Sequence, residues 1–401
     1  MEVNSQTVFM TKIKVAILLI SPGKAGVESV IGNILRYFES DKVELYLINS
    51  TEIAPYYTSL IPKERHLILG RYFNQPKNKY LRFILFHLKN KLKFNEIKLG
   101  KWSGKVTRFL DKHSIKIIHA HLVWDYWIAS KIKETRPDIK YINTMHGTLS
   151  LDPADNYFPY FERKTVLRFL SNADAFTSAC RYFINLLEIW KIPVRSYAII
   201  GNGIDKSISE KVQPKSNHGE VKICFMGGGR PDQKGGDILL HALSILIETY
   251  KIQNFKLLVY GNTNTNPQEK ELTQNFNLES FIEWRGFVEP PHHLKGMEES
   301  DIFVLPSRHE GVANTLMEAI GMEMAIIATN VGGTSEVIVD GLNGLLCYPD
   351  AKDLAAKLAQ LISDPLLQQK ISIENRLIKQ NYYWETICKE YEKFYLSDFL
   401  K

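Results

Sequence analysis

The feature that most constrains the fold is an alternation between short apolar runs and longer segments of helical periodicity, repeated along the chain. Many of the runs end in Gly, Asn or Ser. This pattern is typical of parallel strands joined by crossover helices, and it predicts two doubly wound α/β domains. The predicted strands are 15–20, 43–48, 115–119, 141–145, 175–178 and 197–200, then 221–226, 255–260, 302–305 and 325–328, with 345–347 as a short edge strand.

The length of 401 residues exceeds what one hydrophobic core usually supports, so two domains facing a cleft are expected. A polar stretch, 206–220, follows Gly-Asn-Gly-Ile-Asp at 201–205 and is predicted to link the domains. We therefore expect an N-terminal domain over 1–205 and a C-terminal domain over 206–379. The segment 382–400 is rich in aromatic residues and no strand follows it, so its rings need burial elsewhere in the fold.

The composition argues against several classes of protein. Apolar residues make up 45% and charged residues 23%, as in soluble globular chains. The four cysteines show neither CxxC nor Cys/His spacing, which disfavours a zinc site and a disulfide framework and fits a reducing cytosol. The run 15–20 is too short for a signal peptide, and no stretch approaches the roughly 20 apolar residues of a membrane-spanning helix. We expect a cytoplasmic protein.

The positive charge lies in the first half of the chain. Residues 1–205 hold 30 Lys and Arg against 18 Asp and Glu, a balance of +12, whereas the remainder holds 20 against 26, a balance of −6. Basic and apolar side chains alternate between Lys77 and Lys112, which suits an anionic membrane surface at about 1 kcal/mol per nearby Lys or Arg. The alternative is a helix with one core face and one solvated face. No aromatic and basic RNA-binding motif is present, so nucleic acid is not expected as a partner.

Several phosphate-binding signatures are absent. No GxGxxG opens a helix after the run 15–20 and no GxxxxGK[ST] occurs, which argues against a dinucleotide dehydrogenase and a P-loop NTPase. There is also no Asp-x-Asp pair of the kind that a metal-assisted diphosphate site would show. We therefore expect no metal or other cofactor, and a bound diphosphate must be held by side-chain cations and helix N-termini.

One candidate phosphate site follows the predicted strand 221–226. The turn at 227–236 contains three consecutive glycines, then Arg230 and Lys234, and a helix is predicted to begin near Asp237. Glycine lets a phosphate approach the backbone, so Gly229 and the two cations form a suitable anion site. The alternative is an ordinary tight turn between a strand and a helix.

A second candidate site follows the predicted strand 302–305. Glu310 falls at the carboxyl end of that strand, where open α/β sheets bind ligands. Glu318 falls within the next predicted helix, where it also fits a solvated surface residue, and the two carboxylates need not form an acid/base pair. Backbone amides at the start of that helix suit a phosphate. The residues of this candidate site are Glu310, Gly311, Val312, Ala313, Asn314, Thr315 and Glu318.

Jointly, these motifs resemble glycosyltransferase family four over nearly the whole chain and in the family's order. In the second half the matching features are Glu310 and Glu318 at their spacing, the turn with Arg230 and Lys234, Gly332-Gly333-Thr334-Ser335-Glu336 and Gly341-Leu342-Asn343-Gly344. In the first half they are Ala25-Gly26-Val27-Glu28, His119-Ala120-His121 and Thr144-Met145-His146-Gly147. Two more are the hinge motif from Gly201 to Asp205 and, in the C-terminal segment, Trp384-Glu385.

The resemblance implies a GT-B fold, in which two Rossmann-like domains face a cleft and a C-terminal helix, here within 380–401, crosses back to the N-terminal domain. It implies a retaining, metal-independent transfer of sugar from a nucleoside-diphosphate sugar, most commonly a UDP-sugar. The implied acceptor is a saccharide or a lipid-linked saccharide, as in the synthesis of surface polysaccharide or glycolipid. The enzyme would then be cytoplasmic or peripheral on the inner membrane face.

The resemblance also implies roles for residues at the donor. Arg230 and Lys234 would stabilise the leaving diphosphate. Glu310 would bind sugar hydroxyls and Glu318 ribose hydroxyls.

Further roles fall on His146, which would orient the sugar, and on Gly26, which would let the N-terminal loop meet the diphosphate. Gly286 and Phe287 lie in the segment expected to contact the nucleobase. His119 and His121 are expected to end a strand without taking part in catalysis.

The chain departs from the family pattern at three places. Ala25 stands where a glycine is usual, Gly201 replaces the hinge proline, and only three residues separate Arg230 from Lys234. Two alternatives share the architecture: a nucleotide-sugar 2-epimerase, and a non-catalytic scaffold partner of other transferases.

Overall fold

The computed structural model describes residues 11–20, 26–70, 94–147, 163–210, 212, 219–227, 231–261, 267–289 and 291–400. The chain divides into two compact units. The first comprises Met1–Ser178, Phe183–Ile200 and Cys388–Lys401, and the second comprises Ala179–Tyr182 and Gly201–Ile387. Each unit is built on its own parallel sheet.

The sheet of the first unit has seven strands within the described residues: β1 (Ile13–Leu19), β2 (Val43–Asn49), β3 (His66–Ile68), β4 (Ile117–Ala120), β5 (Lys140–Met145), β6 (Ala175–Ser178) and β7 (Tyr197–Ile199). Their order across the sheet is β3-β2-β1-β4-β5-β6-β7. The central strand β1 is apolar and buried, and it pairs in parallel with β2 on one side and β4 on the other. The topological switch point of this sheet therefore lies between β1 and β4.

The helices of the first unit are α1 (Gly26–Tyr37), α2 (Ala54–Tyr57), α3 (Phe94–His113), α4 (Val123–Thr135), α5 (Arg163–Ser171) and α6 (Arg181–Ile189, in this unit from Phe183), with a 3-10 turn at Lys63–Arg65. The helix α3 carries the described part of the basic stretch. It buries Leu99, Trp102, Val106 and Leu110 on one face and exposes Lys101, Lys105, Arg108 and Lys112. This part is therefore a helix with a core face and a solvated face, whereas residues 77–93 lie outside the described ranges. No helix in the described part of the chain is long and apolar enough to cross a membrane.

The sheet of the second unit has six described strands: β8 (Val221–Met226), β9 (Phe255–Tyr260), β10 (Ile282–Gly286), β11 (Ile302–Leu305), β12 (Ala325–Thr329) and β13 (Leu345–Cys347). Their order is β10-β9-β8-β11-β12-β13, so the switch point lies between β8 and β11. The helices are α7 (Lys206–Ser209), α8 (Pro231–Lys234), α9 (Gly236–Glu248), α10 (Pro267–Asn275), α11 (Leu294–Glu298), α12 (Asn314–Gly321), α13 (Ala351–Ser363), α14 (Pro365–Ile378) and α15 (Trp384–Tyr395, in this unit up to Ile387), with 3-10 turns at Glu279–Phe281, Thr334–Glu336 and Lys379–Tyr382.

The predicted architecture of two doubly wound parallel-sheet domains is confirmed. The edge position of β13 is also as predicted. Two strands, β3 and β10, were not predicted. The first has only three residues, none of them buried, and the second, Ile-Glu-Trp-Arg-Gly, interrupts its apolar residues with charges. Both are edge strands, which need apolar side chains less than central strands do.

The predicted return of the C-terminal segment to the first domain is confirmed. From Cys388 onward the chain belongs to the first unit, where the Cys388 thiol lies 3.9 Å from the Ile34 carbonyl oxygen. The Tyr395 hydroxyl lies 2.7 Å from His119 Nδ1. The rings of Tyr391, Phe394 and Tyr395 are 3%, 7% and 0% exposed, so this unit provides the burial that the sequence required.

Candidate functional site

An ion pair lies at the switch point of the second sheet. Lys234, at the end of α8, follows strand β8, and Glu310 follows the neighbouring strand β11. The Lys234 Nζ donates a 2.6 Å hydrogen bond to Glu310 Oε1, and the Ser307 hydroxyl donates to the same oxygen at 2.8 Å. The two charged side chains are 20% and 7% exposed. The structure therefore brings together two of the predicted site residues and adds Ser307, which was not predicted.

Further contacts tie the two loops together. The Arg308 backbone N–H donates to the Gln233 carbonyl oxygen at 2.8 Å, and the Gln233 side chain donates to the His309 carbonyl oxygen at 3.1 Å. The Arg308 guanidinium donates two hydrogen bonds to Asp237, at 2.8 and 2.6 Å. Burial acts to raise the pKa of Asp237, but the bonds and charge of Arg308 outweigh it and hold the pKa below its usual range. The turn after β8 and the loop after β11 thus form one connected surface.

Two glycines allow the backbone to pack closely around this surface. Gly332 has φ +55, and a Cβ there would lie 1.7 Å from the Glu310 carbonyl oxygen. Gly235 has φ +66, and a Cβ there would lie 2.0 Å from the Pro306 carbonyl oxygen. Both positions combine a left-handed backbone with a close approach, so only glycine fits. Gly332 belongs to the predicted Gly-Gly-Thr-Ser-Glu motif, and the structure shows that it packs against the backbone of Glu310.

The loop between Glu310 and α12 is anchored by a residue of the 201–205 motif. The Asn202 side-chain amide donates to the Val312 carbonyl oxygen at 2.9 Å and to Asn314 Oδ1 at 2.8 Å. Val312 and Ala313 are each 7% exposed, and Gly311 accepts a backbone bond from Gly333. Helix α12 begins at Asn314, so Ala313, Asn314 and Thr315 occupy its N-terminus as predicted from the sequence.

Glu318 lies in the second turn of α12 and has a partner that sequence reasoning missed. His293, just before α11, places Nε2 at 3.0 Å from Glu318 Oε2. The two side chains are 16% and 21% exposed. Glu318 is therefore not simply a solvated helix residue. The sequence offers two adjacent histidines, His292 and His293, with no indication of which one faces Glu318.

A buried carboxyl group lies behind the same turn. Glu269, in α10, is 3% exposed, and its Oε1 would lie 2.0 Å from a Cβ built at Gly236. Burial, assisted by the charge of Asp237, raises the pKa of Glu269 to about 7. No motif marked this residue in the sequence.

The predicted nucleobase segment lies at the end of strand β10. Gly286 has φ +71 and accepts a 2.9 Å backbone bond from Gly261, and the register of β10 shifts at this point. The next residue, Phe287, is 62% exposed. An aromatic ring of this exposure at a strand's carboxyl end is available for stacking on a ligand.

The first unit carries a cluster of three histidines. His146 follows β5, and its Nε2 lies 2.9 Å from Nδ1 of His121, which follows β4. His119, inside β4, lies 2.6 Å from the Thr144 hydroxyl. Burial lowers the pKa of His146 to about 4, that of His119 to about 3 and that of His121 well below its usual range. All three imidazoles are therefore neutral at physiological pH.

Asp125 bridges the two strands at the switch point of the first sheet, and no sequence motif marks it. Its two carboxylate oxygens accept backbone bonds of 2.8 Å each from Ile20, beside β1, and Leu122, beyond β4. Burial raises the pKa of Asp125 to about 8, in opposition to these bonds. Gly26 begins α1 at the same edge, and no atom of the described residues lies within 4 Å of a Cβ built on it.

Some predicted residues lie outside the described part of the chain. They include Gly229 and Arg230 of the glycine-rich turn, and Ala25 before α1. Among the described residues, no group of three or more His, Cys, Asp or Glu side chains is placed to hold a metal ion.

Comparison with known families gives a match to both halves of the chain. A family model described as Glycosyltransferase Family 4 matches residues 25–207. A second, described as Glycosyl transferases group 1, matches residues 207–378.

Individual relatives extend over most of the chain. An uncharacterized glycosyltransferase of Methanocaldococcus jannaschii is 26% identical over 340 residues, which are 82% of this chain and 89% of that protein. The N-acetyl-alpha-D-glucosaminyl L-malate synthase of Bacillus anthracis is 25% identical over 309 residues, 73% of this chain and 77% of that protein. The crystal structure of Anabaena HepE in complex with UDP has a TM-score of 0.73 at 16% identity, covering 95% of this chain and 99% of that one.

Proposed function

We propose the donor and the acceptor of the reaction that this chain catalyses. The chain belongs to glycosyltransferase family 4 and has the GT-B fold. It therefore transfers sugar, with retention, from a nucleotide-sugar donor. The proposed donor is a UDP-sugar, and the proposed acceptor is a saccharide or lipid-linked saccharide. The observation that carries the proposal is the cluster of Lys234, Glu310 and Ser307 at the carboxyl edge of the second sheet.

Lys234 is proposed to stabilise the leaving diphosphate. When the bond between the anomeric carbon and the diphosphate oxygen breaks, the electron pair stays with that oxygen. An ammonium group already held in place can stabilise the growing charge without reorganisation. The 2.6 Å bond to Glu310 provides that placement. Arg230, four residues before Lys234 in the predicted turn, is proposed to share this role.

The two glutamates are proposed to bind different parts of the donor. Both described bonds to Glu310 end on Oε1, so sugar hydroxyls would donate to Oε2. Glu318 would accept from the ribose hydroxyls. The loop from Gly311 to Thr315 lies between them, at the start of α12, and would face the phosphates with its backbone amides.

Two further features support a nucleotide-sugar donor bound without a metal ion. The exposed ring of Phe287 offers a stacking surface for a base at the end of β10. The charge on the diphosphate would be met by Lys234 and Arg230, and the sequence has no Asp-x-Asp pair to bring in a divalent ion. HepE, a protein of similar fold, is described in complex with UDP.

The acceptor is proposed to bind the first unit, where His146 would orient the transferred sugar as a neutral hydrogen-bonding group. Gly26 begins a helix at the same sheet edge and would let the N-terminal loop meet the diphosphate. A product in surface polysaccharide or glycolipid synthesis would place the enzyme at the inner membrane face, with the exposed lysines of α3 toward anionic lipid. The Bacillus anthracis relative is named for a malate product, so a small soluble acceptor is the alternative.

The test measures donor use by the full chain. Thermal-shift measurements and hydrolysis assays with UDP-, GDP- and ADP-sugars should select UDP. Lys234→Met should lower turnover by orders of magnitude, while Lys352→Met, at an exposed position in the same unit, should leave it unchanged. Near-normal turnover of Lys234→Met would remove Lys234 from the diphosphate role.

Two additional measurements separate the alternatives. Activity lost in EDTA and restored by Mg²⁺ would contradict the metal-free reaction. Isomerisation of the free nucleotide sugar, with no transfer to any acceptor, would identify a 2-epimerase instead.

A further inference from the structure

We infer that His293 is a positioning residue that fixes the Glu318 carboxylate for the donor's ribose, and so sets how strongly the enzyme prefers a ribonucleotide over its deoxy analogues. This inference rests on the proposed function, in which Glu318 binds the ribose. His293 is not among the residues of the proposed donor site, and it lies directly before α11.

The geometry singles out His293 from its neighbours. Its Nε2 lies 3.0 Å from Glu318 Oε2, and the two side chains approach each other from α12 and from the start of α11. Its ring is 16% exposed, whereas the adjacent His292 is exposed. The contact is therefore specific to one of two chemically identical residues, and the other supplies a matched control.

The bond also has a defined direction. An ionised carboxylate only accepts hydrogen bonds, so the proton lies on His293 Nε2 and the imidazole is the donor. The other ring nitrogen, Nδ1, is buried and has no hydrogen-bond partner among the described residues. Within the described structure the imidazole thus has one polar contact, and that contact is Glu318.

This arrangement matches what a ribose ligand requires. Glu318 keeps 21% of its side-chain surface exposed, and a carboxylate has about four lone-pair directions, so one bond from His293 leaves capacity for both ribose hydroxyls. An unrestrained glutamate on a helix surface would lose rotamer freedom when the ribose binds. A glutamate already fixed by His293 loses less, so its hydroxyl bonds contribute more to affinity.

The experiment compares ligands that differ by one hydroxyl. Dissociation constants of UDP, 2′-deoxy-UDP and 3′-deoxy-UDP are measured by calorimetry on the full chain. The variants are His293→Ala, His293→Gln, Glu318→Gln and the control His292→Ala. Because a hydrogen bond to a charged group is worth about tenfold or more in binding, the wild type should bind at least one deoxy analogue about tenfold more weakly than UDP.

The inference predicts a pattern across the variants. Glu318→Gln, which replaces the carboxylate by a weaker neutral acceptor, and His293→Ala, which frees the carboxylate, should each lower the ratio of deoxy to ribo dissociation constants toward one. His293→Gln keeps an N–H donor and should retain much of the ratio, and His292→Ala should retain all of it. A purely structural role for His293 would weaken all three ligands equally and leave the ratio unchanged.

The results that would contradict the inference differ from those that would contradict the proposed function. A full ratio in His293→Ala overturns the inference while the proposed donor site stands. Equal binding of ribo and deoxy ligands by the wild type overturns the inference by removing Glu318 from the ribose. Failure of the wild type to bind UDP, GDP or ADP overturns the proposed function itself.

Discussion

Replacing Gly332 by alanine should displace Glu310, because no space exists for the added methyl group. The new Cβ would lie 1.7 Å from the Glu310 carbonyl oxygen, far inside the roughly 3.5 Å separation that such atoms tolerate. The residue also has φ +55, and a left-handed conformation costs an alanine about 1–2 kcal/mol. Relief of the contact requires the Glu310 backbone to shift.

The matched control is Gly341→Ala. Gly341 has φ +74, but no atom of the described residues lies within 4 Å of the position of its Cβ, so this variant carries the conformational cost without the clash. Overpacking costs about 1–3 kcal/mol, and this is the expected difference between the two variants in free energy of unfolding. A displacement of 1 Å at a reacting group lowers turnover by about a hundredfold, so sugar transfer should fall much more in Gly332→Ala than in Gly341→Ala.

Chemical denaturation followed by tryptophan fluorescence gives the stabilities, and initial rates of sugar transfer give the turnover. Equal losses of stability and activity in the two variants would refute the close packing of Gly332 against Glu310. A large loss of activity in Gly341→Ala alone would refute the special position of Gly332 at the site.

Three other predictions concern buried polar groups. Burial lowers the pKa of His119 from 6.5 to about 3, so acidification protonates this imidazole in the unfolded state first. Lowering the pH from 7.5 to 5 should therefore remove about 2 kcal/mol of unfolding free energy through His119 alone, and the loss measured for His119→Gln should be smaller than that of the wild type by about this amount. Tyr395→Phe removes a 2.7 Å bond to that imidazole and should lower the free energy of unfolding by about 1–3 kcal/mol, and an unchanged midpoint of denaturation would contradict this. Gly236→Ala should clash with Glu269, and a second substitution, Glu269→Ala, should restore part of the lost stability; additive losses in a double-mutant cycle would exclude the contact.

Most of the fold could be predicted from the sequence because each strand or helix is indicated by residues that are adjacent in the chain. An apolar run such as 302–305 identifies a central parallel strand by itself, and each such strand in this protein is buried on both faces. Strands β3 and β10 were not predicted because these edge strands are short or mix charged residues with apolar ones. The N-terminus of α12 was predictable for the same local reason, since the loop and the helix are adjacent in the chain.

The contacts of the site could not be predicted in this way. Lys234 and Glu310 are 76 residues apart, and only the pairing of β8 with β11 brings them together. His293 meets Glu318 across 25 residues with no motif to mark it. Serine and aspartate are common in loops and at helix caps. The sequence alone therefore does not show that Ser307 and Asp125 contact other strands or loops.

Because residues 388–400 belong to the first unit, that unit cannot finish folding until they have been synthesised. The ribosome completes the second unit before it makes the segment whose Tyr391 and Tyr395 are buried in the first. At about 5–20 residues per second, that interval lasts on the order of ten seconds or more. Throughout it the nascent first unit exposes apolar surface and lacks the phenol that bonds His119, so we expect it to become protease-resistant only after the segment with Tyr391 and Tyr395 has left the ribosome.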